Sequence, residues 1–402
     1  MRAFAGAWLI AVALLAADPC WAGPARAGKP GGHISVMTQN VYIGTDILAL
    51  AESTTVCGLL RAAGDALDQV EANDFSQRAM ALADLVLAKS PDVLALQEAV
   101  TVSYADFFGI EYQFDDYLTA LVEALDGHYY LVEKRSSAEL EVPANRVGSC
   151  DEDNPLSSVD ARATVVDQDA FLCRVGVECE PGGAENFSFN TQVATPAGDV
   201  AIERGWVSIV ARVKGQDYQL FNTHLEVNSN EALRTVQYLQ SLELADVLNS
   251  FKTAGMPQIV LGDFNSEEGS GQPACAELDF CQTSYQVLQG SGFLDTWTLR
   301  GGTPQTGHTC CQDADLQNED SALTARIDQV WIRGPGGHQG GALARGVQAE
   351  VLGTEALDRS EPDELWPSDH AAVITRMWVS PYTVDSWLKG KTYNARHGQH
   401  LQ

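Results

Sequence analysis

Three short apolar runs each end on a polar residue: 34–39 lead to Asn40, 93–97 lead to Glu98, and 258–262 lead to Asp263, Phe264 and Asn265. Runs this short and this apolar, bounded by turn formers, read as strands buried in a sheet core. Each such strand delivers an amide or a carboxylate to the end of a sheet, where the backbone leaves the hydrophobic layer. A chain that repeats this arrangement is constrained to a layered protein whose strand ends meet at one polar site.

The intervening sequence supplies the other layers. Between Asp74 and Ser90 the residues Met80, Leu82, Leu85, Val86 and Leu87 suit a helix with Asp74 as N-cap and Pro91 beyond its end. Residues 230–251 carry Leu233, Val236, Leu239, Leu242, Leu244, Val247 and Leu248, an amphipathic helix laid on a sheet. Residues 206–213 and 218–223 are β-rich and are separated by Gly215, Gln216 and Asp217, a hairpin signal. Further strands are expected at 327–332, 347–352 and 371–378. Strands interleaved with a few helices, partly antiparallel, predict an α/β protein with mixed sheets.

No linker or low-complexity run divides the chain, so one catalytic domain is expected over 32–380, followed by a tail, 381–402. Residues 101–186 and 266–322 lack a sustained period and read as insertions over the functional face. The N-terminus pairs Arg2 with an apolar stretch from Ala5 to Ala16, too short to span a bilayer, and this predicts a signal peptide within 1–27. Cleavage after Ala22 and cleavage after Ala27 both fit. Pro19 argues against lipidation at Cys20, and no other segment is long and apolar enough for a transmembrane helix. A secreted, soluble monomer is expected.

Of the nine cysteines, Cys20 falls in the signal peptide, leaving Cys57, Cys150, Cys173, Cys179, Cys275, Cys281, Cys310 and Cys311. An even set in an exported chain predicts disulfides. Cys173 with Cys179 and Cys275 with Cys281 could each close a small loop, whereas adjacent Cys310 and Cys311 are expected to bond to different partners. A zinc site is disfavoured because no Cys-x-x-Cys pair occurs. The net charge of −29 repels polyanions over most of the surface, so nucleic acid is a disfavoured partner and any phosphate substrate needs local cations.

Asn40 and Glu98 offer hard oxygen ligands suited to Mg2+, with Mn2+ or Ca2+ as alternatives. Six segments then follow in a telling order: Thr38-Gln39-Asn40, Leu96-Gln97-Glu98, Asn222-Thr223-His224-Leu225, Leu261-Gly262-Asp263-Phe264-Asn265, Arg326-Ile327-Asp328 and Ser368-Asp369-His370. Together they resemble the endonuclease/exonuclease/phosphatase superfamily from residue 34 to residue 378. The resemblance implies a deoxyribonuclease I-like fold, a four-layer α/β sandwich with two central mixed β-sheets flanked by helices. It also implies metal-dependent hydrolysis of phosphate esters, with Asn40, Glu98 and Asp369 as metal ligands and His224, Asp263, Asn265, Asp328 and His370 as catalytic residues.

Each implied role has a physical basis. Asp328 would hold His370 protonated, as a general acid or phosphate anchor. Asp263 would orient or deprotonate a water. Asn265 would donate amide hydrogens to developing charge, and His224 would neutralise a phosphate oxygen. Arg204, at the start of a strand whose hairpin partner ends in His224, is a candidate phosphate clamp, with an ion pair to Glu203 or another local acid as the alternative. The remaining histidines read as ordinary surface or core rings. A site tyrosine is left open among Tyr104, Tyr112, Tyr129 and Tyr130. The expected function is a phosphodiesterase. The alternatives are a phosphomonoesterase, a phospholipase C- or sphingomyelinase-like enzyme using Phe107, Phe108, Ile110 and Tyr112 as an apolar loop, and a non-catalytic binding protein on the same fold.

Overall fold

The apolar runs form the centres of two six-stranded sheets. The computed structural model describes residues 32–380 except 48–49, 51, 107, 109, 197, 253–255, 269–273, 277, 279, 304 and 336–343. The expected signal segment and C-terminal tail lie outside the described residues. The first sheet has the order β17 (Ala344–Leu352), β18 (Ala372–Val379), β1 (Gly32–Asn40), β2 (Val93–Gln97), β8 (Gln168–Arg174) and β5 (Tyr129–Ser136). The second runs β15 (Leu294–Asp295), β16 (Asp328–Arg333), β14 (Gln258–Asp263), β13 (Gln216–His224), β12 (Gly205–Val213) and β9 (Glu178–Asn186). Each is mixed, with a single parallel pair near its middle: β1 with β2, and β13 with β14.

That shared topology places the polar strand ends together. Register sets Asn40 beside Gln97 in one sheet and His224 beside Asp263 in the other. Antiparallel β16 begins opposite the end of β14, pairing Asp328 with Asp263, and antiparallel β18 is entered through Ser368, Asp369 and His370. All six segments therefore open at one end of the sandwich.

Burial follows the alternation of the strands. Ile34, Val36, Val93, Ala95, Phe171, Val207, Ile209, Leu220, Ile259, Leu261, Val330 and Val373 fill the space between the sheets. Truncating Leu261, fully buried there, to alanine would cost about 2–5 kcal/mol. The opposite faces carry the outer layers. Met37, Leu94, Leu96 and Ile374 pack under helices α1 (Val56–Ala72), α2 (Phe75–Lys89) and α3 (Tyr117–Ala124). Phe221, Val260 and Trp331 pack under α4 (Glu231–Ser250) and α5 (Ser284–Gly290). A short α6 (Thr296–Leu299) follows β15. The chain is a four-layer α/β sandwich. At the functional end a polar clasp joins the sheets: Gln97 Nε2 donates to Asn222 Oδ1 at 2.6 Å, and Asn222 Nδ2 donates to the Leu96 carbonyl at 2.8 Å.

Several expectations change in detail. Asp74 caps α2 by accepting from the Ser76 N–H, but the helix turns Arg78 inward and leaves Met80 59 % exposed. The β12–β13 turn is Lys214-Gly215, both at positive φ, so Gln216 and Asp217 belong to the strand; this is the geometry that matches strand twist in a two-residue hairpin. Residues 101–186 contribute β5, β8 and β9 to the main sheets. They also build a four-stranded sheet, β4 (Glu111–Asp116), β3 (Thr101–Asp106), β7 (Ala161–Val166) and β6 (Leu140–Ala144), against the first outer layer. A hairpin of β10 (Thr191–Thr195) and β11 (Gly198–Ile202) completes the strands.

The disulfides join Cys57 to Cys150, Cys173 to Cys179 and Cys275 to Cys281. Cys310 pairs with Cys311, against the expectation of separate partners. The other six cysteines satisfy one another, which leaves this adjacent pair to each other. Among the described residues no helix is long and apolar enough to cross a membrane.

Candidate active site

The backbone at the strand ends is bent to aim the side chains. Glu98 and Asn265 take positive φ of 55° and 47°, as does Tyr42 at 61° in the loop after β1. Such conformations are costly for residues with a Cβ and gather where a site over-determines them. Gly262, at φ +146°, lets β14 press against β13, since a Cβ there would collide with the Thr223 carbonyl.

His370 is the centre of the cluster. Its Nδ1 lies 2.8 Å from Asp328 Oδ2, and its Nε2 lies 3.8 Å from Asp263 Oδ2 and 4.0 Å from Asp369 Oδ1. Burial alone would depress its pKa, but the carboxylates of Asp328, Asp369 and Asp263 override burial and hold it well above the usual histidine range. The ring is therefore an imidazolium at neutral pH. Asp328 is fixed in turn, since Thr309 Oγ1 accepts from its backbone N–H at 3.1 Å.

Asp263 and Asp369 are pushed in the opposite sense to an ordinary surface carboxylate. Burial raises both; Asp328 adds to the effect at Asp263, and Glu98 adds to it at Asp369. Asp263 Oδ1 accepts from the Asn265 N–H at 2.9 Å, and its Oδ2 accepts from Asn40 Nδ2 at 3.2 Å. Asn40 also donates to Glu98 Oε1 at 3.0 Å, while its own Oδ1 accepts from the Tyr42 N–H at 3.0 Å. It bridges two carboxylates through nitrogen, and its oxygen keeps a second lone pair beside the Tyr42 N–H, the place at which it is expected to meet a cation. Ser368 ties the halves together, donating to the Asn40 carbonyl at 2.7 Å and accepting from the His370 N–H at 3.1 Å.

His224 lies across the site from His370. Its Nε2 is 3.1 Å from Asn265 Nδ2 and 3.5 Å from Asp263 Oδ2. Burial, followed by the charges of Arg204, His370 and Arg135, drives its pKa well below the usual value. The ring is neutral, so it offers a hydrogen bond and not the neutralising charge expected of it. Strand pairing does bring Arg204 beside His224, but the guanidinium is buried behind the ring, with Nη1 3.0 Å from His224 Nδ1 and 3.7 Å from Asp167 Oδ2. Its acidic partner is Asp167, a local acid other than Glu203, and it stands behind the His224 ring.

The donor set suits a hard divalent cation. Asp263 and Asp328 present carboxylate oxygens beside the protonated His370 ring, which itself offers no lone pair, and Glu98 and Asp369 add carboxylates on the open side. Desolvation and then neighbouring carboxylates raise the pKa values of Asp263 and Asp369, and a cation beside them would relieve that crowding.

Sequence reasoning missed the supports of this site. Arg78, fully buried, donates to the carbonyls of Val41, Tyr42, Asn73 and Pro367 and so pins the loops that carry Asn40 and Ser368. Its signal was a cation on the apolar stripe of α2. Arg135 ion-pairs with Asp167 and Asp169 at 2.8 Å each, behind Arg204. Of the tyrosine candidates, Tyr104 is buried in the outer core, and Tyr129 and Tyr130 donate to the carbonyls of Pro91 and Val177. The side chain of Tyr112 lies outside the described residues. The tyrosine beside the acidic cluster is Tyr42, whose hydroxyl donates to the Ala314 carbonyl at 3.0 Å.

The model of the Endonuclease/Exonuclease/phosphatase family matches residues 37–370, which takes in all six segments. The chain belongs to that family. It is accordingly a phosphoester hydrolase. Solved structures similar to this family member include truncated Caenorhabditis elegans TDP2, at 17% identity and TM-score 0.48, covering 86% of this chain and 98% of that one. An endonuclease/exonuclease/phosphatase family protein from Bacteroides thetaiotaomicron is similar at 14% identity and TM-score 0.46, covering 88% and 100%. The human Nocturnin catalytic domain is similar at 16% identity and TM-score 0.44, covering 86% and 94%. No curated protein matches the chain.

Proposed function

We propose that the protein is a secreted, divalent-metal-dependent phosphodiesterase that acts as a monomer on phosphate diesters. The observation that carries this reading is the geometry of His370, its Nδ1 held at 2.8 Å by Asp328 and its Nε2 turned toward Asp263 and Asp369 at 3.8 and 4.0 Å. A divalent ion, magnesium by the hardness of the donors, would be held by Glu98 and Asp369, polarising a phosphoryl oxygen and lowering the pKa of water beside it. Asp263, locked by the Asn265 N–H, orients the attacking water and receives its proton. His370 donates from Nε2 to a phosphoryl or departing oxygen while Asp328 keeps the charge on the ring. His224 and the Asn265 amide contribute neutral donors.

A diester suits this charge balance better than a monoester. Glu98, Asp263, Asp328 and Asp369 surround the site, and a singly charged diester meets less repulsion than a doubly charged monoester. Secretion is supported by the pairing of all eight cysteines that follow the expected signal segment. One observation favours a second reading: Phe108 and Ile110, at the tip of the β3–β4 hairpin, are 83 % and 65 % exposed, as an enzyme of lipid head groups would need.

The test is a substrate panel of bis-p-nitrophenyl phosphate, duplex DNA, RNA, a phosphomonoester and sphingomyelin vesicles, each with magnesium, manganese, calcium or chelator. Metal-dependent turnover of the diester above the monoester is expected. Preference for vesicles would favour the lipid reading, and no turnover with any ion would point to a binding protein.

A further inference from the structure

We propose that Arg204 is a positioning residue that fixes the tautomer of His224 and thereby creates a two-donor cradle for a phosphoryl oxygen, an inference that rests on the hydrolase reading above. Arg204 Nη1 lies 3.0 Å from His224 Nδ1, with the imidazole 1 % and the guanidinium 9 % exposed. A guanidinium has five donors and no acceptor. Nδ1 must therefore be the unprotonated nitrogen, because a proton on it would set N–H against N–H. The proton of the ring therefore sits on Nε2.

On its other side, Nε2 is 3.1 Å from Asn265 Nδ2. The orientation of that amide is set independently: Asn265 Nδ2 also lies 3.0 Å from the Leu225 carbonyl oxygen, which the amide oxygen could not face without repulsion. His224 Nε2–H and Asn265 Nδ2–H are thus two donors set against each other, an opposition milder than a proton on Nδ1 would meet from the cationic guanidinium, and neither can accept from the other. Asp263 Oδ2, at 3.5 Å from Nε2, is too distant for a strong bond. The pair is completed by one anionic oxygen bound to both, as the phosphoryl group of a substrate would be.

The cation that sets this arrangement is itself held in place. Arg204 approaches Asp167 at 3.7 Å, and Arg135 ties Asp167 to Asp169 and donates to the Glu203 carbonyl at 3.2 Å. Gly205 follows Arg204 and pairs with His224 in the β12–β13 register; a Cβ there would lie 2.6 Å from Arg135 Cδ. The absence of a side chain at residue 205 is what lets Arg135 pack behind Arg204.

The experiment combines a spectrum with a mutant cycle. In metal-free protein carrying 15N-histidine, His224 should show the Nε2–H tautomer, which shifts toward Nδ1–H in Arg204→Met and is largely retained in Arg204→Lys. With bis-p-nitrophenyl phosphate and magnesium, Arg204→Met should lower kcat by roughly 100-fold, the order seen for loss of one oxyanion donor. In a His224→Ala background the same change should cost less than about threefold, because Arg204 acts through the ring. Thermal melts confirm that each variant is folded. An Nδ1–H tautomer in the wild type, or equal losses in both backgrounds, overturns the proposal in favour of direct phosphate contact. Should the wild type turn over no phosphoester while the Nε2–H tautomer is present, the hydrolase reading falls and the tautomer assignment stands on the spectrum.

Discussion

His370 Nδ1 and Asp328 Oδ2 meet at 2.8 Å, with the carboxylate sealed from solvent and the imidazole 7 % exposed. Asp328 is the neighbour that does most to hold the ring protonated against its own burial. Asp328→Asn keeps the shape and removes that charge. The His370 pKa then falls, so the alkaline limb of the rate profile should move to lower pH and kcat at neutral pH should drop by about 10²–10⁴, the range for losing a general acid. A pH–rate profile of the folded variant checks this, and an unchanged alkaline limb would show that another group supplies the proton.

The same raised pKa values link stability to pH. His370, Asp263 and Asp369 all bind protons more tightly folded than unfolded. For such groups stability falls as pH rises: for the aspartates from about pH 4 through their raised folded values, and for the histidine from about pH 6.5 upward. Metal-free protein should therefore have a lower Tm at pH 8 than at pH 5.5, and magnesium should flatten the slope. Glu98 is one of the charges crowding Asp369, so Glu98→Gln should raise the metal-free Tm while weakening both the metal-induced shift and turnover. Calorimetry with and without chelator tests both signs. A Glu98→Gln protein with the wild-type response to magnesium would remove Glu98 from the ligand set.

What could be read from the sequence was what lies along single strands. Asn40, Glu98 and Asp263 each stand at the end of an apolar run, and that pattern alone placed them at sheet ends, whereas Asp328 opens its strand and was singled out only through the family resemblance. What it could not carry was the depth of a side chain within the site. Arg204 was correctly set beside His224 by hairpin pairing, yet whether its guanidinium faced solvent or the protein depended on Asp167 and Arg135, which lie in a stretch with no legible period. Nor could the sequence show that the Asn40 amide nitrogen ties Glu98 to Asp263 while the Tyr42 N–H orients its oxygen. Helix α1 passed unnoticed because its buried face interleaves Leu60, Leu67 and Val70 with Cys57, Ala63 and Gly64, small residues that blur the apolar stripe.

The disulfides give a test of redox state and of stability. Thiol titration of unfolded, unreduced protein should find none of the eight cysteines from Cys57 to Cys311 free. Cys57–Cys150 closes a loop with a sequence separation of 93, against 6 for Cys173–Cys179. Loop-closure entropy then predicts a loss of roughly 4–5 kcal/mol for Cys57→Ser with Cys150→Ser, and about half that for the short loop. Denaturant unfolding of the two double variants measures the difference. Equal losses would show that native-state contacts, and not chain entropy, set the contribution.

Charge separates the substrate classes. The chain carries a net charge of −29, and within the site Arg204 is buried and paired, so its charge is not presented to a polyanion. A long nucleic acid must cross a repulsive surface, whereas a small diester meets mainly the metal, His224, Asn265 and His370. Binding through many Lys or Arg contacts would weaken steeply with salt as counterions are released. Here the opposite is expected: cleavage of DNA should be weak at low ionic strength and should rise as added cations screen the surface, while hydrolysis of bis-p-nitrophenyl phosphate at saturating magnesium should change little. Initial rates on both substrates against monovalent salt make the comparison. Tight DNA binding at low salt that collapses on salt addition would contradict this view, because it requires a basic groove whose cations are free to exchange counterions with the nucleic acid.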